Sequence, residues 1–246
     1  MRYKLTIEYD GSNILGWQRQ KDGPSVQEYL EIVLEKMSGH KGEIAGAGRT
    51  DAGVHALGQV AHMDFDTNME DWKIREAFNA HLRALEAKVS VINVEKVDDN
   101  FHARFSAIGR GYVYRIFNRR AASVLLENRV WWVPVELDVE LMRQGAQYLL
   151  GNHDFTSFRA AACQAKSPIK TLDKLDIEKN GNEIIFTVEA RSFLHHQVRN
   201  MVGTLKMVGE GKLTPEDVKR ILEAKDRSAA GITAPAEGLY LAKVMY

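Results

Sequence analysis

Seven consecutive residues, Arg49-Thr50-Asp51-Ala52-Gly53-Val54-His55, bring a guanidinium, a hydroxyl, a carboxylate and an imidazole into one short segment between small residues. A working Asp must be positioned, reachable, and either ionised as a base or nucleophile or protonated as an acid. Gly48 and Gly53 let the backbone bend sharply and let a ligand come close. Arg49, two residues away, is able to hold Asp51 ionised or to grip a phosphate. An isolated Asp-Ala-Gly usually reads as a turn Asp bonding its own backbone. The density of functional side chains here argues against that plainer reading.

Two further segments carry chemistry. In Arg110-Gly-Tyr-Val-Tyr-Arg-Ile-Phe-Asn118, strand geometry puts Tyr112, Tyr114 and Ile116 on one face. Aromatic rings on a sheet beside arginines stack bases and hold phosphates, although half-buried strands favour Tyr and Phe in any case. From Phe193 to Val208 a helix is expected, with Leu194, Val198, Met201, Leu205 and Val208 as its apolar stripe. His195, Arg199 and Lys206 then share another face, a basic ridge for an anion or simply a solvated face.

Several chemistries find no motif. Gly46-Ala47-Gly48 opens like a dinucleotide loop, but position 51 is Asp, and there is no Gly-Lys-Ser/Thr phosphate loop. His55 and His62 are seven apart and His195-His196 are adjacent, spacings that hold no metal, and Cys163 is the only cysteine. No Gly-x-Ser-x-Gly elbow is present. Neither metal nor other cofactor is expected. A single cysteine, no apolar run of 18 residues and an alternating rather than signal-like N-terminal stretch lead to the expectation of a cytoplasmic protein with no membrane contact.

The elements that position these residues are those of an α+β protein of 246 residues with mostly antiparallel sheet. Arg2–Tyr9 alternates as a strand, and Ser25–Met37 reads as a helix with Ser25 as N-cap and Glu28 completing a capping box. Strands are expected over Val60–Phe65, Lys88–Val94, Gly111–Asn118 and Gly238–Tyr246. Helices are expected over Asp71–Leu85 and Asp138–Leu150, and from Thr214-Pro215 onward. Lys170–Lys179 and Glu183–Ala190 form a hairpin across Asn180-Gly181. The softest boundary lies near Ser106–Gly111.

Net charge is zero, with 33 basic and 33 acidic residues, yet the distribution is uneven. From Phe101 to Val130 six arginines face one glutamate, a net of +5, and Arg191–Lys206 holds three basic residues and no acid. A neutral total therefore conceals local fields suited to phosphate.

The segments YDGSNILGWQRQ (Tyr9–Gln20), GAGRTDAGVHALGQVAHMDF (Gly46–Phe65), FHARFSA (Phe101–Ala107), HDFTSFRA (His153–Ala160), FLHHQVRNMVG (Phe193–Gly203) and AEGLYLAKVMY (Ala236–Tyr246) resemble the TruA-type tRNA pseudouridine synthases, in order and over essentially the whole chain. The resemblance implies isomerisation of uridine to pseudouridine at positions 38 to 40 in the anticodon stem-loop of tRNA, with no cofactor and with a homodimer as the binding form. It implies an N-terminal α+β half, residues 1–106, carrying the Asp loop, and a C-terminal half, residues 107–246, carrying the Tyr strand and basic helix. Their sheets would join into one extended sheet around a central cleft. Asp51 matches the essential aspartate, as nucleophile or as base, and Arg49 the arginine beside it. Tyr112 matches the tyrosine stacked on the target base, Arg199 the basic residue of the second half, and Leu239 the apolar residue beside the base. His55, Arg104, Arg110, His195 and Lys206 complete the expected substrate-binding set. Gly111, Val113 and Lys170 depart from the family's usual residues. A glycoside or nucleoside hydrolase is the rival enzyme class, but it needs a second placed carboxylate, and no acid lies close to Asp51 in sequence.

Overall fold

The computed structural model describes all residues, Met1–Tyr246. In chain order the elements are β1 (Arg2–Tyr9), α1 (Val26–Ser38), β2 (Ile44–Gly46), β3 (His55–Asp64), α2 (Asp71–Ala84) and β4 (Val89–Val97). There follow β5 (Gly109–Asn118), β6 (Trp131–Val133), α3 (Val139–Gln147), β7 (Gly151–Asp154), β8 (Ile169–Asn180) and β9 (Glu183–Ala190). The chain continues through α4 (Gln197–Gly209), α5 (Pro215–Ala224) and β10 (Leu239–Met245). The architecture is α+β with mostly antiparallel sheet; the β3–β10 and β5–β6 pairings are parallel. Two compact units emerge: Met1–Ile108 with Tyr240–Tyr246, and Gly109–Leu239. The boundary falls two residues beyond the expected 106/107, and the segment from Tyr240 belongs to the first unit, not the second.

In the first unit β1 lies between β4 and β3, antiparallel to both. The other edge of β3 is shared: Ile44–Gly46 of β2 pair with Ala61–Met63, and Tyr240–Leu241 of β10 pair with His55–Ala56. Tyr3, Leu5, Ile7 and Tyr9 alternate into the core, as their spacing predicts. Leu30 and Leu34 of α1 and Ile74 and Phe78 of α2, two helices that pack on each other, are as inaccessible. The Ser25 hydroxyl accepts from the Glu28 N–H and starts α1, and Gly39, left-handed at φ 80°, ends it. β3 is buried at almost every position, because Val60 on its second face packs with Ala47 and Ala103 under Phe101 and Val244.

In the second unit the order is β5-β9-β8-β7, all antiparallel, with β6 added beside Ile116–Asn118 of β5. The hairpin turn is Gly181-Asn182, one residue later than expected, since Asn180 still pairs with Glu183. Gly181, at φ 58°, supplies the left-handed step. Helices α3, α4 and α5 pack on one another over a core of Tyr114, Phe155, Phe158, Phe186, Met201 and Leu205.

α4 differs from expectation in two ways. It starts at Gln197, not Phe193, because His196 adopts φ 61°, a left-handed conformation that an α-helix cannot propagate. It is also buried on nearly all sides, so no open basic ridge forms. Lys206 is 14% exposed and is held by Glu210 one turn on, with its ammonium 5.5 Å from the Trp131 ring centre. Glu210, 6% exposed, is also reached by Lys212 at 3.1 Å. Burial pushes the Glu210 carboxyl up, but hydrogen bonds from Lys206 and Lys212 outweigh it, and the net shift is downward.

A carboxyl depressed in the folded state contributes stability that is present above its unfolded value and lost as pH falls through the folded value. Lys206→Ala should therefore cost about 1–3 kcal/mol at neutral pH by leaving a buried carboxylate underpaired. The difference from wild type should shrink as pH falls through the depressed Glu210 value of the folded wild type, below which the carboxyl is protonated in both. Urea unfolding at several pH values checks this.

Candidate active site

The Asp51 segment links β2 to β3 and is shaped by a second loop, residues 10–18. The Asp51 carbonyl accepts from the Val54 N–H at 3.1 Å, closing a turn whose third residue, Gly53, needs φ 80°. Thr50 beside it is buried; its hydroxyl meets the Tyr9 phenol at 2.8 Å and its carbonyl accepts from the Trp17 N–H at 3.1 Å. Gly16 lies against this backbone at φ 81°, and a Cβ there would run into the Thr50 carbonyl oxygen and the Asp51 carbonyl carbon. A Cβ on Gly11 would strike the Val54 carbonyl. The two loops therefore touch backbone to backbone on both sides of Asp51, which leaves the Asp51 side chain half-buried on a fixed turn.

Arg49 is exposed, and its Nε donates to Gln18 Oε1 at 3.1 Å; Gln18 is held in turn by Gln27 at 2.7 Å. A Cβ on Gly48 would meet nothing within 4 Å, so open space stands beside this residue. His55 opens β3 but is only 2% exposed. Its Nδ1 accepts from the Gly11 N–H at 3.0 Å, and its ring stacks on Tyr240 at 4.6 Å. This imidazole is a support for the 10–18 loop, a different task from the substrate contact expected of it.

Arg104 lies in a separate loop of the first unit. It is exposed, with its guanidinium 5.6 Å from the centre of Phe105, which is itself 75% exposed. The loop is fixed beneath by the Ala103 N–H donating to His62 Nδ1 at 3.3 Å and the Tyr246 phenol donating to the Ala103 carbonyl at 2.7 Å. Burial, together with the neighbouring His102 and Arg2 charges, pushes the His62 imidazole below its ordinary pKa.

The second unit holds Arg110, Tyr112, His195, Arg199, Lys206 and Leu239. The two tyrosines of β5 divide sharply. Tyr114 is fully buried and donates to the Pro235 carbonyl at 2.8 Å, and burial pushes its phenol well above its ordinary pKa. Tyr112 is half-buried and meets Phe193 edge-on, with ring centres 5.1 Å apart. Of the pair, Tyr112 is the one with surface to offer a base. Arg110 donates to the Arg191 carbonyl at 3.0 Å. His195 is exposed and packs against His196 at 4.0 Å. Arg199, in the first turn of α4, is half-buried with its Nε donating to the Ala234 carbonyl at 2.7 Å. Leu239 is 7% exposed. Lys206 is taken up by its ion pair with Glu210. Sequence reading missed the supporting residues Tyr9, Gly11, Gly16, Gln18 and Phe193; the first four lie in the Tyr9–Gln20 segment, and that segment was their one signal.

Gly16 and Gly39 share almost the same φ, 81° and 80°, but only Gly16 lacks room for a Cβ. Gly39→Ala should cost about 1 kcal/mol of backbone strain and leave turnover unchanged. Gly16→Ala should add about 1–3 kcal/mol of overpacking and lower turnover, because it displaces the backbone of Asp51 itself. Thermal melts and turnover of the two variants side by side make the comparison.

A family model described as tRNA pseudouridine synthase matches residues 5–106 and 146–246. The protein named tRNA pseudouridine synthase A from Paramagnetospirillum magneticum is 57% identical over 245 residues, covering 100% of this chain and 95% of the relative. Those of that name from Bartonella tribocorum and Sinorhizobium fredii are 53% and 51% identical, each over 100% of this chain and 99% of the relative. β5, which carries Tyr112, lies between the two matched segments, but the full-length relatives span it. With matches that run through the Asp51 loop, α4 and β10 alike, the chain belongs to the tRNA pseudouridine synthase family.

Proposed function

We propose that this synthase, an isomerase acting on uridine in tRNA, modifies positions 38, 39 and/or 40 of the anticodon stem-loop, with Asp51 as its essential nucleophile or base. The observation that carries the assignment is the seating of Asp51: a half-buried carboxylate on a turn gripped through its backbone, next to an exposed arginine, in a chain of this family. Such pre-organisation is what a reacting carboxylate needs.

The reaction breaks the N1–C1′ bond, turns the base and joins C5 to C1′, so the C5 hydrogen leaves as a proton and N1 gains one. Asp51 either attacks the nucleotide or removes a ribose proton. Arg49, aimed by Gln18, holds the phosphate of the flipped nucleotide. Flipping costs roughly a few kcal/mol, and a ring face repays part of it by stacking; Tyr112, steadied edge-on by Phe193, supplies that face, with Leu239 as an apolar neighbour. Arg199 is the second unit's cation toward the reacting nucleotide. Arg104, Arg110 and His195, in or near the two arginine-rich segments, bind the RNA backbone. The family resemblance also supports a homodimer acting in the cytoplasm.

With tRNA transcript tritiated at uracil C5, wild type should release tritium and leave pseudouridine-specific stops in the anticodon arm. Asp51→Asn should abolish release while keeping tRNA affinity. Unchanged release by that variant, or stops elsewhere in the tRNA, would overturn the assignment, and free uracil among the products would indicate hydrolysis. Arg104→Ala should weaken binding of all substrate tRNAs alike and lower the slope of log affinity against log salt by about 1; filter binding across a salt series reads both.

A further inference from the structure

Between α5 and β10 the chain runs along α4, and an arginine that no catalytic step calls for is folded beneath this stretch. Arg227 Nη1 donates to the Gly231 carbonyl at 3.0 Å and, more distantly, to the Ala230 carbonyl at 3.5 Å. Its Nη2 donates to Asn200 Oδ1 at 3.1 Å and Thr233 Oγ1 at 3.0 Å. The Thr233 hydroxyl closes the triangle by donating to the same Asn200 oxygen at 2.7 Å, and Asn200 Nδ2 donates to the Phe158 carbonyl at 2.8 Å. All four acceptors of Arg227 are neutral oxygens. The planar, five-donor fork is thus used for its geometry, as a multipoint clamp between loop and helix, a task the three donors of a lysine's single ammonium would not reproduce.

What the clamp holds lies one residue away on each side. Asn200 follows Arg199 on α4, and Thr233 precedes Ala234 on the loop. Arg199 and Ala234 are joined twice: the Ala234 N–H donates to the Arg199 carbonyl at 3.1 Å, and the Arg199 Nε donates to the Ala234 carbonyl at 2.7 Å. The second bond sets the plane of the Arg199 guanidinium. The loop comes this close because Gly203 and Gly231 leave room: a Cβ on Gly203 would run into the Ile232 carbonyl, and one on Gly231 would lie 2.9 Å from Thr204 Cα. The Gly231 N–H also donates to the Thr204 hydroxyl at 3.0 Å.

We propose that Arg227 is a positioning residue for the synthase reaction: by clamping residues 230–233 to Asn200 it fixes the Ala234 carbonyl, and through that carbonyl the aim of Arg199. This rests on the role given to Arg199 under the proposed function. A misplacement of about 1 Å at a reacting centre is able to cost on the order of a hundredfold in rate, so a slackened loop should register in the chemical step.

The test is single-turnover tritium release with saturating enzyme in excess over tRNA, where a partial loss of folded protein leaves the rate constant unchanged as long as active enzyme stays saturating, and a loss of positioning lowers it. The proteins are wild type, Arg227→Ala, Arg199→Ala, the double variant, and Phe78→Leu as a core-destabilised control that keeps the wild-type rate constant. Arg227→Ala is expected to slow the step by about tenfold or more, with tRNA affinity unchanged. The double variant is expected to be no slower than Arg199→Ala alone, since the clamp acts through that side chain. If Arg227→Ala keeps the wild-type rate constant and merely melts earlier, as Phe78→Leu does, Arg227 is structural and the inference is overturned while the Arg199 reading stands. A double variant slowed by the full product of the single effects also overturns it. If Arg199→Ala itself reacts at the wild-type rate, the Arg199 reading falls and takes the inference with it.

Discussion

The contact on which the first unit's chemistry depends is main chain against main chain. Residues 10–17 approach the Thr50–Val54 turn so closely that neither Gly11 nor Gly16 has space for a single added carbon. Backbone packing of this kind has no rotamers to relax, which is why it fixes a turn better than a side-chain bridge does. The Tyr9–Thr50 and Trp17–Thr50 hydrogen bonds then set the register of the contact, and His55 ties the loop's near end to β3 through Gly11. Asp51 inherits its position from these neighbours without itself having to pack.

The second unit reaches a similar result by another route. There a half-buried cation on a nearly engulfed helix is held by a loop that crosses it, and the loop is held by Arg227. Both arrangements put the group proposed to act one residue from its anchor: Thr50 beside Asp51, Asn200 beside Arg199. The anchor is buried and hydrogen-bonded and its neighbour remains half-exposed, so anchoring and accessibility are divided between adjacent residues.

Much of this was legible in the sequence. The alternation of β1, the Ser25 N-cap of α1, the Pro215 start of α5 and the β8–β9 hairpin are local signals, and these elements lie within three residues of where the signals put them, although the expected α1 capping box forms only its Ser25 half. β2, β6 and β7 were not foreseen, since three or four residues carry no usable period. The late start of α4 was hidden because nothing marks His196 as left-handed. Asp51 and Arg49 stood out by the density of their segment, whereas the residues that hold them lie some thirty to forty positions earlier. Tyr112 and Tyr114 share a face by spacing alone. Only the arrival of Pro235 and Gly238 against Tyr114, from more than a hundred residues away, buries one and spares the other.

The pairing of Tyr240–Leu241 with His55–Ala56 has a consequence for the order of events during synthesis. The first unit is discontinuous: its sheet takes in a segment that the ribosome makes only after the whole second unit. Until then the start of β3 lacks its neighbour on that edge, and the His55 ring lacks the Tyr240 ring on which it stacks. A nascent chain therefore carries an incompletely braced Asp51 loop while the second unit is being translated, and the loop reaches its working rigidity only once residues 240 and 241 dock.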